Sequence, residues 1–102
     1  MKHFLIEITY TVPAEGLGEV VGAHRAFLRG GYDHGLLLLS GPQVPRVGGI
    51  AVGRAESREE MEAFFNQDPY LQAGVATHRI VEFDPVLRQD WLETWVTGQS
   101  GS

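Results

Sequence analysis

Leu17-Gly18-Glu19-Val20-Val21-Gly22-Ala23-His24-Arg25-Ala26-Phe27-Leu28, residues 17–28, is the stretch from which the rest of the chain is read. Leu17, Val20, Val21, Phe27 and Leu28 recur at the spacing of one helical face, and His24 falls on that same face. The spacing predicts a helix over about Glu15–Phe27, closed by Gly30-Gly31 and Gly35, with an imidazole turned into the core. A buried titratable ring needs a hydrogen-bond partner, and a carboxylate brought in from elsewhere would poise it for proton transfer. Asp68, in the downstream turn Asp68-Pro69-Tyr70, is the candidate, and the two would form an acid/base dyad.

Before this helix, His3 to Thr11 alternates, with Phe4, Ile6, Ile8 and Tyr10 on one side, as in a half-buried strand that Pro13 ends. After it, Leu36 to Ser40 and Val47 to Arg54 read as neighbouring strands, joined by a loop holding Pro42, Pro45 and Arg46. Ser57-Arg58-Glu59-Glu60 has the form of a capping box opening a helix whose apolar face is Met61, Phe64 and Phe65. Asp68 as cap and Pro69 at the first position start a further short turn that Gly74 stops, and Ala76 to Phe83 is the last strand. The order strand, helix, strand, strand, helix, strand is the split pattern of an α+β, ferredoxin-like βαββαβ fold with a four-stranded antiparallel sheet. Right-handed crossovers place both helices on one face, so the other face of the sheet is expected to be covered by a second subunit.

At 102 residues the chain reads as one domain, residues 1–85, with a C-terminal extension over 86–102. In the extension Leu87, Trp91 and Trp95 stand four apart, so a short helix would align them as a packing stripe, and Gly98 to Ser102 reads as a disordered tail. A composition of 43% hydrophobic and 21% charged residues is that of a globular protein. No apolar run is long enough for a bilayer and no leader precedes the first strand, so a cytoplasmic protein without a membrane partner is expected. The net charge of −5, with scattered Lys and Arg, disfavours nucleic acid. The absence of cysteine removes disulfides, thiol catalysis and thiolate metal sites.

His24, Ser40-Gly41-Pro42, Pro45-Arg46, Gly48-Gly49, Asp68-Pro69-Tyr70 and Gly74, in that order and spacing, resemble the YciI-like (YCII-related) family over roughly residues 3–85. The resemblance implies a dimeric α+β barrel like that of muconolactone isomerases, with a histidine and an aspartate as the active-site pair, here His24 and Asp68. The family often has arginine three residues before the histidine, where this chain has Val21, which leaves Arg25 or Arg46 to meet an anionic substrate.

Each of these residues also has a purely structural reading. His24 can be a core histidine bonded to a backbone carbonyl. Asp68 can simply cap the turn at Pro69, and one oxygen can cap while the other accepts from an imidazole. Ser40 can close its strand, Arg46 can be a solvated loop cation, and Tyr70 can be a packing residue with a polar tip at the cleft. Gly48, Gly49 and Gly53 mark close backbone approach or bulges. Metal binding is not expected, since His3, His24, His34 and His78 lack helical ligand spacing. His34 reads as an exposed turn residue, and His3 and His78 as neighbours on the sheet surface.

The resulting expectation is a homodimer or higher homo-oligomer that uses His24 and Asp68 for cofactor-independent isomerisation or elimination on a small cyclic or aromatic-derived metabolite, with Ser40, Arg46 and Tyr70 holding the substrate. The competing expectation is a non-catalytic dimer that binds a small metabolite or a regulatory partner in the same pocket.

Overall fold

The computed structural model describes residues 1–98. Its strands are β1 (Lys2–Tyr10), β2 (Leu37–Pro42), β3 (Gly48–Ala55) and β4 (Ala76–Phe83), and its helices are α1 (Val20–Asp33), α2 (Arg58–Phe65), α3 (Pro69–Gln72) and α4 (Glu93–Thr97). The four strands form one antiparallel sheet in the order β2-β3-β1-β4, the arrangement of a ferredoxin-like α+β fold. Alternation along β1 sends Phe4, Ile6 and Ile8 to the helical side, where they are buried with Leu17, Met61, Phe65 and Tyr70 as the core.

Local chemistry sets the helix starts. Ser57 Oγ accepts from the Glu60 N–H at 3.1 Å to open α2, and Asp68 Oδ1 accepts from the Tyr70 N–H at 2.9 Å to open α3, with Pro69 at its first position. The entry to α1 differs from the sequence expectation: Ala14–Leu17 is a separate turn of 3-10 helix, and α1 itself begins at Val20. Its end differs too, because the helix runs through Gly30-Gly31 and stops only before Gly35, whose φ of +72° suits glycine. Gly31 is there for space rather than for termination. A Cβ on it would stand 2.6 Å from the Phe64 ring and 2.8 Å from Leu37, so the missing side chain lets α1 lie close against β2 and α2. Gly31→Ala gains helix propensity of about 1 kcal/mol but forces Phe64 and Leu37 aside at a cost of about 1–3 kcal/mol. A net loss of about 1 kcal/mol is expected, to be read from the urea midpoint.

In β3, Gly48 is also a close-approach residue, since a Cβ would fall 1.8 Å from the Ile8 carbonyl oxygen. The sheet irregularity lies on β2, between Leu37 and Leu39. It puts Leu37 on the core side and Leu39 on the other, where a one-residue slip would otherwise misplace the edge strand.

On the face away from the helices, Leu39, Val52, Leu5 and Val81 are cross-strand partners in one apolar row over all four strands. The extension covers one end of this face: Val96 is buried, its carbonyl lies 2.8 Å from His3 Nε2, and Trp95 packs over the Arg54 guanidinium. The stripe of Leu87, Trp91 and Trp95 does not form. α4 spans only Glu93–Thr97, too short to carry all three, and Leu87 and Trp91 are exposed while Trp95 faces the sheet. Gly98 caps α4 with a φ of +79°, and residues 99–102, expected as a disordered tail, lie outside the described residues.

Candidate active site

The inward face of α1 delivers His24, the N-terminus of α3 delivers Asp68, and β4 delivers His78. His24 Nδ1 lies 2.7 Å from Asp68 Oδ1. Asp68 Oδ2 in turn lies 2.8 Å from His78 Nε2, and the carboxylate is fully buried between the two rings. Burial alone would raise the carboxyl pKa. The hydrogen bonds from His24, His78 and the Tyr70 N–H outweigh it and hold Asp68 down at about 2. An ionised carboxylate only accepts, so His24 donates from Nδ1 and His78 from Nε2. His24 Nε2 is thereby left as the basic nitrogen.

The Tyr70 ring holds the imidazole from the side, stacked on it at 3.8 Å between centroids and 8° between planes. Tyr10 meets Tyr70 edge-on at 5.8 Å. His24, Tyr70 and Tyr10 form one wall of a cleft of about 200 Å³ whose other sides are Leu28, Ser40-Gly41-Pro42 and Arg46. The Arg46 guanidinium sits exposed at the mouth, its pKa raised above the usual arginine value by the hydroxyl of Tyr10 above all and then by that of Tyr70. Burial raises the Tyr70 phenol, which therefore stays protonated and able to donate.

All five residues singled out in the sequence thus meet at one place: Asp68 behind His24, and Ser40, Arg46 and Tyr70 around the cleft. The Ser40 hydroxyl is engaged by Tyr32 Oη at 2.7 Å. Arg25 also lines the cleft, so both cations left by the absence of arginine at Val21 are on hand.

His78 lies elsewhere than its sequence surroundings suggest. It is not beside His3: register sets His3 opposite Phe83 and His78 opposite Ile8, on the core face. Ala76, His78 and Ile80 share that face by alternation, and this was the available signal. Tyr10, in sequence simply the last residue of an alternating strand, ends β1 at the cleft. His34 caps α1 in the exposed position expected for it. Among the described residues no group of three or more His, Asp or Glu side chains is arranged to hold a metal ion, and no helix is long and apolar enough to cross a membrane.

A solved structure, 5-chloro-2-hydroxyhydroquinone dehydrochlorinase from Burkholderia phenoliruptrix in complex with 2,5-dihydroxybenzoquinone, is similar in fold. Its TM-score is 0.64 at 22% identity, over 79% of this chain and 90% of that one. No curated protein matches the sequence. The model of the YCII-related domain matches residues 1–84, and the chain belongs to the YCII-related family.

Proposed function

We propose that the protein is a small-molecule enzyme in which His24 is a general base and Asp68 its orienting carboxylate. The observation that carries this reading is the 2.7 Å His24–Asp68 contact at the wall of a cleft with a cation at its mouth. The His24 Nε2 lone pair takes a proton from a carbon or hydroxyl of the substrate. The imidazolium so formed keeps its Nδ1–H on Asp68, whose charge offsets it. In an isomerisation the same proton returns to a different atom; in an elimination the electron pair released expels a leaving group from the neighbouring carbon and the proton passes to solvent. An apolar cavity of about 150 Å³ takes a benzene ring, so a cleft of about 200 Å³ suits one substituted ring. Arg46, supported by Tyr10 and Tyr70, suits an ionised oxygen on that ring. The dehydrochlorinase of similar fold, seen with a dihydroxybenzoquinone, supports the same class of elimination on an oxygenated ring.

The test is a thermal-shift screen of phenolic, quinonoid and carboxylic single-ring compounds, followed by product analysis of each hit. Turnover of a bound ring compound is the expected result. Tight binding of such compounds with no product from any of them would make the cleft a binding site instead.

A homodimer belongs to the same proposal. The row Leu39, Val52, Leu5 and Val81 leaves apolar surface on the sheet, with Leu39 54% exposed, and a second copy of the sheet covers it. Light scattering should give twice the 11.3 kDa chain mass, and Val52→Glu should halve it. A wild-type monomer at micromolar concentration would overturn the dimer without touching the dyad.

A further inference from the structure

We infer that His78 is a positioning residue for the His24 base, acting through the far oxygen of Asp68. This rests on the reading of His24 and Asp68 as the proton-transfer pair, and it assigns work to a side chain that this pair does not use. The two carboxylate oxygens are unequally held. Oδ1 accepts from both His24 Nδ1 and the Tyr70 N–H, whereas Oδ2 has a single donor among the described residues, His78 Nε2 at 2.8 Å. Two donors on one oxygen leave a carboxylate able to swing about that oxygen. A third donor on the other oxygen fixes its plane.

The cost of losing that donor is high at this place. The carboxylate is fully buried and ionised, and an unpaired oxygen there would draw the carboxylate toward any other donor in reach. His24 Nδ1–H is held in line only while Oδ1 keeps its place, so the tautomer that leaves Nε2 free in the cleft depends on His78. The His78 ring is itself set firmly, since it lies on β4 opposite Ile8 and meets the edge of the Phe65 ring at 5.3 Å and 76°. It lines a second cleft, of about 240 Å³, bordered by Arg58, Glu62 and Asn66, and not the first, which His24 lines. His78 therefore orients the base from outside the cleft where the substrate would sit.

Nitrogen NMR of the imidazoles tests this without a substrate. In the wild-type protein, held at a pH where both rings are neutral, His24 should be a single Nδ1–H tautomer and His78 a single Nε2–H tautomer. A His78 found as Nδ1–H would overturn the inference outright, and that measurement needs no variant. Glutamine places an amide N–H near the position of Nε2, so His78→Gln should keep the His24 tautomer. His78→Phe keeps the ring shape and removes the donor, and should give His24 as a mixture of tautomers in a chain whose amide spectrum is still folded. His78→Leu replaces it if the phenylalanine variant does not fold. An unmixed His24 tautomer in the folded donorless variant, or equal disturbance in the glutamine and donorless variants, would show that His78 is only structural.

With a substrate in hand, the donorless variant should lose roughly 10- to 100-fold in kcat with little change in KM, and His78→Gln should recover most of it. Full turnover in His78→Phe would also overturn the inference. Should His24→Ala turn over normally while the tautomer results hold, the positioning role stands and the catalytic reading of the pair falls.

Discussion

His24→Ala is expected to lower turnover roughly 10²- to 10⁴-fold, the share of a well-placed general base. In barrier terms this is about 3–5 kcal/mol. The size follows from the arrangement: Nδ1 is committed to Asp68 at 2.7 Å, so Nε2 is the basic atom His24 has left for a substrate. Binding should change much less, because the cleft keeps Arg46, Tyr10, Tyr70 and its apolar wall. The variant also loses the imidazole stacked on Tyr70, and circular dichroism must first show that it folds. Added imidazole, small enough for the space vacated beside Tyr70, should restore part of the rate. Wild-type turnover in this variant would falsify the base assignment and pass the proton transfer to another group of the cleft.

Much of this geometry was legible in the sequence, and the parts that were not have physical reasons. The strict alternation of Phe4, Ile6, Ile8 and Tyr10 specifies a strand because a period of two admits no helical reading. Ser57 and Asp68 each carry a side-chain acceptor at the right place to cap, and both do so. His24 was visible as an inward residue because its neighbours set a helical face whose burial is a local property.

What escaped depends on other segments. Gly30-Gly31 reads as a helix stop when taken alone, yet at Gly31 the approach of Leu37 and Phe64 decides the residue, and no local pattern contains them. His78 escaped for a similar reason. Its face is readable from Ala76 and Ile80, but that the face meets the N-terminus of α3, and so Asp68, depends on how α3 packs against β4. The extension is legible only in part: a short helix does form there, over Glu93–Thr97, but of the three residues at helical spacing only Trp95 turns to the sheet, where its indole and carbonyl meet Arg54 and the next carbonyl, of Val96, meets His3.

Asp68→Ala should be strongly destabilising, at about 3–5 kcal/mol, the range for removing one partner of a buried charged cluster. Three donors lose their acceptor together: His24 Nδ1, His78 Nε2 and the Tyr70 N–H that starts α3. Against the 5–15 kcal/mol that is usual for a whole domain, such a loss brings the chain close to unfolding. Asp68→Asn should cost less, because its carbonyl can still cap Tyr70 and accept from His24 while its amide faces His78 unfavourably. The same carboxylate predicts the acid limb of stability. Its pKa is lowered in the folded protein to about 2 from an ordinary 3.8, so the folded state favours the ionised form. That contribution is complete above the unfolded value and disappears as pH falls through the folded one. It amounts to about 2 kcal/mol, lost between about pH 4 and pH 2. Urea midpoints measured down this range should fall more steeply for wild type than for Asp68→Asn, so that the gap between the two narrows toward pH 2. Parallel curves would mean that Asp68 is not held ionised by its two histidines, and the orienting role assigned to it would fail with that result.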